Sequence, residues 1–190
     1  SISKLESIKV LILGETIIDK YVFCETLGKS GKEPMLALRE IKTEEYYGGA
    51  VAIANHLSNF CKSINLFTII GEKKEYQKKI IKNVAKNVTL NFFYKDNSPT
   101  IVKKRFLDNI NKNKILGVYE INDELININH QIKIEKQLKK LKNKVDLIIV
   151  SDYGHGFLSK NTAKKVATIS NSVALNAQLN AANLGLHTIN

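Results

Sequence analysis

Tryptophan is absent from this sequence, methionine occurs once, and proline and cysteine occur twice each. Cys24 and Cys61 cannot build a disulfide scaffold and stand in no metal-ligand spacing, so a reducing, cytoplasmic setting is the natural expectation. No apolar run approaches twenty residues, and the longest clean ones, such as Leu147–Val150, have the length of core strands rather than membrane spans. Ser1–Glu6 lacks the apolar block of a signal peptide. His56, His130, His155 and His187 are widely spread, and none forms a metal-ligand pair. Ser151 has no His/Asp pattern around it, which argues against a nucleophilic triad. Arginine is equally scarce. Only Arg39 and Arg105 interrupt the lysines among 29 cations, although the formal charge is +11. Phosphate and base recognition favours the bidentate guanidinium. Lys, Asn and Ile supply 71 of the 190 residues, a drift of composition rather than a patch, and the densest lysines, 133–144, read as the solvated face of a helix. No nucleic-acid or membrane partner is expected.

What is present is an ordinary globular composition, 44% hydrophobic and 25% charged, enough for one full-sized core. The periodicity predicts strands at Ile8–Leu13 (stopping at Gly14), Tyr21–Glu25, Leu36–Thr43, Ile64–Ile70, Leu147–Val150 and Val173–Leu175. Helices are predicted after Gly48-Gly49 and over Glu75–Asn87, Asn129–Lys142 and Asn161–Ser170. Thr89–Tyr94, Thr100–Leu107 and Ile115–Tyr119 read as three strands with no helix between them, and His187–Asn190 as the start of another. The alternation defines an α/β fold, a mainly parallel sheet with helices on both faces. Two strand-only stretches, about 20–43 and 89–120, break it and are expected to form a small separate sheet.

Ligands of open α/β sheets bind beyond the carboxyl ends of strands. Three such ends are polar: Gly14-Glu15-Thr16-Ile17-Ile18-Asp19, Gly48-Gly49 at a helix start, and Ser151-Asp152-Tyr153-Gly154-His155-Gly156. An acid past a strand end can accept sugar hydroxyls or hold a metal, and a glycine pair lets backbone N–H groups approach a ligand.

In this order the segments resemble the ribokinase or PfkB carbohydrate kinases, and within them the heptose 7-phosphate kinase branch. Val10–Tyr21 is similar to that branch's opening strand with its GD and later Asp-basic-Tyr. Glu33-Pro34 with Met35–Arg39 resembles its first lid strand, and Gly48-Gly49-Ala50 with Ile53-Ala54 and Leu57 its GGAxNxAxxL helix start. Pro99–Arg105 resembles PTITKTR, and Ser151–Gly156 resembles SDYGKG. The resemblance spans almost the whole chain. It implies a ribokinase-like three-layer core with a β lid made of 20–43 and 89–120, residues 1–190 being the N-terminal portion of one kinase domain with the C-terminal half of the fold absent. It implies that Asp19 binds sugar hydroxyls, that Gly48 and Gly49 bring amides to the sugar, and that Lys103 and Arg105 hold an anionic group. Asp152 would lie near phosphate and Mg²⁺ and serve the metal, while the catalytic base and most of the ATP pocket would lie beyond residue 190. The implied reaction transfers the ATP γ-phosphoryl group to a hydroxyl of a sugar or sugar phosphate, these residues alone being inactive, in a homodimer formed through the lid. Departures are Ala52 for the family Asn, Glu15 for Asp, His155 for Lys, and Asn176-Ala177-Gln178 where active relatives often carry Asp-Pro-Lys. They keep open a non-catalytic, kinase-like domain that binds a sugar or sugar nucleotide or assembles beside another enzyme domain.

Overall fold

The computed structural model describes residues 6–29, 31, 34–170 and 172–177. Its organising element is β1, Lys9–Lys29, which serves two sheets in succession. Over Lys9–Glu15 it runs parallel to β3 (Ser63–Gly71) and, over Val10–Gly14, to β7 (Leu147–Asp152). β3 pairs in parallel with β4 (Val88–Lys95), and β7 with β8 (Val173–Ala177), giving a main sheet in the order β4-β3-β1-β7-β8. Side chains alternate across β1 as strand geometry requires. Val10 and Ile12 pack with Ala50, Val51 and Ala54 of α1 (Ala50–Leu57) and Ile80 of α2 (Gln77–Asn83). Leu11 and Leu13 pack on the other face with Ile134 and Leu138 of α3 (Ile128–Leu141) and Ala163 and Val166 of α4 (Lys160–Val166). Burying each such aliphatic side chain contributes about 1.5–3 kcal/mol. The result is a three-layer, mostly parallel α/β fold.

From Thr16 onward β1 leaves the main sheet and pairs antiparallel with β2 (Leu36–Gly49). On its other side it pairs in parallel with β5 (Ile101–Asp108), which in turn pairs antiparallel with β6 (Lys114–Glu120). This second sheet, β2-β1-β5-β6, is fastened to α2. Glu45 of β2 bridges Lys20 at 3.5 Å and Lys79 at 3.1 Å, and the Lys20 ammonium lies 5.1 Å from the centre of the Tyr76 ring.

Three expectations are corrected. The first strand does not stop at Gly14, because the polar residues that follow take new ladder partners in the second sheet and the chain stays extended to Lys29. Residues 88–95 do not belong to the second sheet. Preceded by α2, they complete a β-α-β crossover and form one edge of the main sheet, with Phe93 buried against Phe67 and Phe157. The helix expected over Glu75–Asn87 is confined to Gln77–Asn83. The strand expected at His187–Asn190 lies outside the described residues, as do Glu33 and Gln178.

Candidate substrate-binding site

The two sheets meet where β1 passes from one to the other. Asp19 sits on the second-sheet half of β1, opposite Tyr46 of β2 and Lys103 of β5. Its Oδ1 accepts a hydrogen bond from Arg105 Nη1 at 2.5 Å, and both side chains are about one-fifth exposed (23% and 20%). The Arg105 guanidinium lies between two rings, 5.6 Å from the centre of Tyr21 and 5.8 Å from that of Tyr119. This aromatic seat holds the flat cation in place. Lys103 lies two residues before Arg105, so it projects from the same face of β5 as Arg105 and Asp19.

Gly48 faces the other carboxylate oxygen. A Cβ at Gly48 would stand 2.4 Å from Asp19 Oδ2, so any side chain here would push the carboxylate from this position. Gly49 adopts φ +61° as the N-cap of α1, and a Cβ there would meet the Glu15 carbonyl oxygen at 2.2 Å. With glycine at both positions, the backbone entering α1 lies bare beside Asp19. Ala52, exposed in the first turn of α1, presents only a methyl group where the family Asn would offer an amide.

A second cluster lies below, at the carboxyl end of the main sheet. Glu15 is fully buried on β1, and its oxygens accept the N–H groups of Tyr153 (2.9 Å) and His155 (3.2 Å). Burial, reinforced by the charge of Asp152, raises its carboxyl from the ordinary 4.5 to about 7. Asp152, the last residue of β7, is buried, and its Oδ1 accepts the Gly154 N–H at 3.1 Å. His155 is buried with Nδ1 2.7 Å from Asp123 Oδ1 and no hydrogen-bond partner at Nε2; burial pulls its pKa below the usual imidazole value. The Lys95 ammonium, itself lowered by burial, donates to the carbonyls of Asn122 (2.5 Å) and His155 (3.1 Å).

Asp19, Gly48 and Arg105 are therefore brought into contact, with Gly49 and Lys103 next to them in the sheet register. Asp152 is not in that group. It faces Glu15, four residues earlier on β1 than Asp19, or roughly 13 Å along an extended strand. Sequence reasoning treated Glu15 only as a departure from a family Asp. The available signal was an acid lodged between Gly14 and Thr16 at the end of an apolar run. Lys95 carried no such signal, since it ends a strand that reads like any other.

No group of three or more His, Cys, Asp or Glu among the described residues could cage a metal ion. Mg²⁺ in phosphoryl-transfer sites is commonly held by one or two carboxylates together with substrate phosphates. Asp152 suits that mode, whereas Glu15 is occupied by the loop N–H groups. No helix among the described residues is long and apolar enough to cross a membrane.

No protein-family model matches the chain. Solved structures share the fold, which is that of ribokinase-like carbohydrate kinases. Phosphofructokinase-2 from Escherichia coli in complex with fructose-6-phosphate superposes with a TM-score of 0.62 at 12% identity, over 93% of this chain and 56% of that one. Arabidopsis thaliana ribokinase complexed with ribose and ATP gives 0.55 at 14% identity, over 89% and 53%. By sequence, the chain is homologous to the bifunctional protein HldE. It is 27% identical to the Haemophilus influenzae (strain PittEE) protein over 156 residues, 82% of this chain and 32% of that protein. The chain thus spans about a third of the curated relatives it matches and about half of the solved kinases.

Proposed function

We propose that this chain is the sugar-binding part of an ATP-dependent carbohydrate kinase whose substrate is a sugar phosphate of the hexose or heptose class. The observation that carries the proposal is the Asp19–Arg105 pair set against the bare backbone of Gly48 and Gly49. Asp19 accepts hydroxyl hydrogens of the sugar, and the glycine amides approach its ring. Arg105, steadied by Tyr21 and Tyr119, and Lys103 beside it hold the anionic group. Phosphoryl transfer depends mainly on positioning and charge neutralisation. Asp152 would hold Mg²⁺ together with ATP phosphates, and the ion, when bound, offsets charge on the transferring group. The second sheet closes over the sugar and excludes water, which would otherwise accept the phosphoryl group. The base that takes the acceptor proton is assigned to none of these residues.

The second sheet would also join two copies of the chain in the cytoplasm. Leu36 and Ile41 of β2 and Leu116 and Val118 of β6 are about half exposed, and a second copy would cover them. Leu36→Glu should then convert a dimer to monomers in sedimentation. A non-catalytic sugar-binding role is favoured by one observation, the methyl group of Ala52 in place of an amide.

Calorimetric titration with fructose 6-phosphate and sedoheptulose 7-phosphate tests the substrate assignment. Asp19→Ala should weaken the better of the two by about 1–3 kcal/mol, the usual loss for hydrogen bonds to a charged group. Equal affinity in wild type and variant would remove Asp19 from the site.

A further inference from the structure

Glu15 has no ligand-binding task in the proposal above, yet it is a buried carboxylate with both oxygens engaged. Three consecutive N–H groups of the loop after β7 are divided between two acids. Those of Tyr153 and His155 go to Glu15, and that of Gly154 goes to Asp152 Oδ1. The loop is also gripped from the opposite side. The Gly156 carbonyl accepts the Ile126 N–H at 2.9 Å, the His155 carbonyl accepts from Lys95, and the His155 ring meets Asp123.

We propose that Glu15 is a positioning residue for Asp152, fixing the 153–155 backbone so that the Asp152 carboxylate stands at the carboxyl end of the main sheet. A carboxylate is needed rather than an amide. It accepts at both oxygens, whereas glutamine accepts at one and would turn its NH₂ toward a second N–H donor. Ionisable groups around the loop include Lys95 of β4, His155 itself, Asp123 and Glu124 between β6 and α3, and Lys103 of β5. The consequence for catalysis rests on Asp152 serving the phosphate side, as proposed above. The clasp itself exists without ligand.

The test is therefore made on the full, unliganded chain by following hydrogen exchange of the backbone amides. The Tyr153, Gly154 and His155 amides should be protected in the wild type. In Glu15→Gln, protection at Tyr153 and His155 should fall about 10-fold or more relative to Val150. Rapid wild-type exchange at Tyr153 and His155, or unchanged protection of both in a folded Glu15→Gln chain, would overturn the proposal. The wild-type exchange pattern decides even if Glu15→Gln fails to fold. A chain that binds no sugar phosphate could still show the clasp, and a missing clasp would leave the Asp19 site intact, so the two proposals fail separately.

Discussion

Two of the carboxylates on strand β1, Glu15 and Asp19, lie four residues apart in opposite electrostatic settings. Asp19 is partly open to solvent and lies directly against a guanidinium, so its charge is compensated before any ligand arrives. Glu15 is fully buried, faces another carboxylate, and is offset by backbone N–H groups and by the ammonium of Lys95. A compensated, accessible acid can exchange partners with a ligand at modest cost. A buried acid that holds a loop cannot leave it without stranding two N–H groups. In the proposed reading the same strand supplies a binding group to one sheet and a structural group to the other, and the change occurs where β1 leaves the main sheet.

The largest disturbance should come from closing the gap between the two settings. Gly49→Ala combines φ +61° with a Cβ placed 2.2 Å from the Glu15 carbonyl oxygen. We expect a loss of about 3 kcal/mol or more in denaturant unfolding.

Next in size is the pH dependence of stability. Glu15 binds its proton more tightly folded than unfolded, so its contribution is fully present below about 4.5 and is lost as pH rises through about 7. The loss is on the order of 3 kcal/mol. His155 acts in the opposite sense. Its lowered pKa contributes stability above the usual imidazole value that disappears as pH falls through the folded value. Urea unfolding at two pH values on either side of 7 should show Glu15→Gln losing less stability than wild type on going to the higher pH. An unchanged slope would place Glu15 in contact with solvent.

Arg105→Ala sharpens the comparison from the other side. It should weaken fructose 6-phosphate by about 1.5–3 kcal/mol and fructose much less, because the lost bond is to the anion. Similar losses for both sugars would mean that Arg105 serves only to hold Asp19. The smallest effect is expected at Lys79→Met, which removes an exposed partner of Glu45 and should leave the urea unfolding midpoint nearly unchanged.

Much of the fold was legible in the sequence because alternating apolar segments leave few arrangements for a parallel sheet. Of the two strand-only stretches, 20–43 and 89–120, the strands within β2, β5 and β6 lie in the second sheet, whereas 88–95 does not. The length of β1 was hidden. Gly14, Glu15, Asp19 and Lys20 look like punctuation, yet Gly14 and Glu15 keep their partners in the main sheet and Asp19 and Lys20 find new ones in the second. The place of Thr89–Tyr94 was misread for a related reason, since a strand's periodicity does not say which sheet receives it. Asp19, Gly48, Gly49, Lys103 and Arg105 could be grouped from motif order. That Asp152 faces Glu15 instead required a fold that brings residues 137 positions apart into one buried cluster.

The central claim is that a sugar phosphate binds at the compensated end of β1. Amide resonances followed during titration of the full chain with fructose 6-phosphate test it most directly. The account predicts shifts concentrated at Gly48, Gly49, Lys103 and Arg105, with Leu66 and the lysine-rich face of α3 unchanged. Shifts confined to α3, or none at Gly48 and Gly49 at saturating ligand, would contradict it.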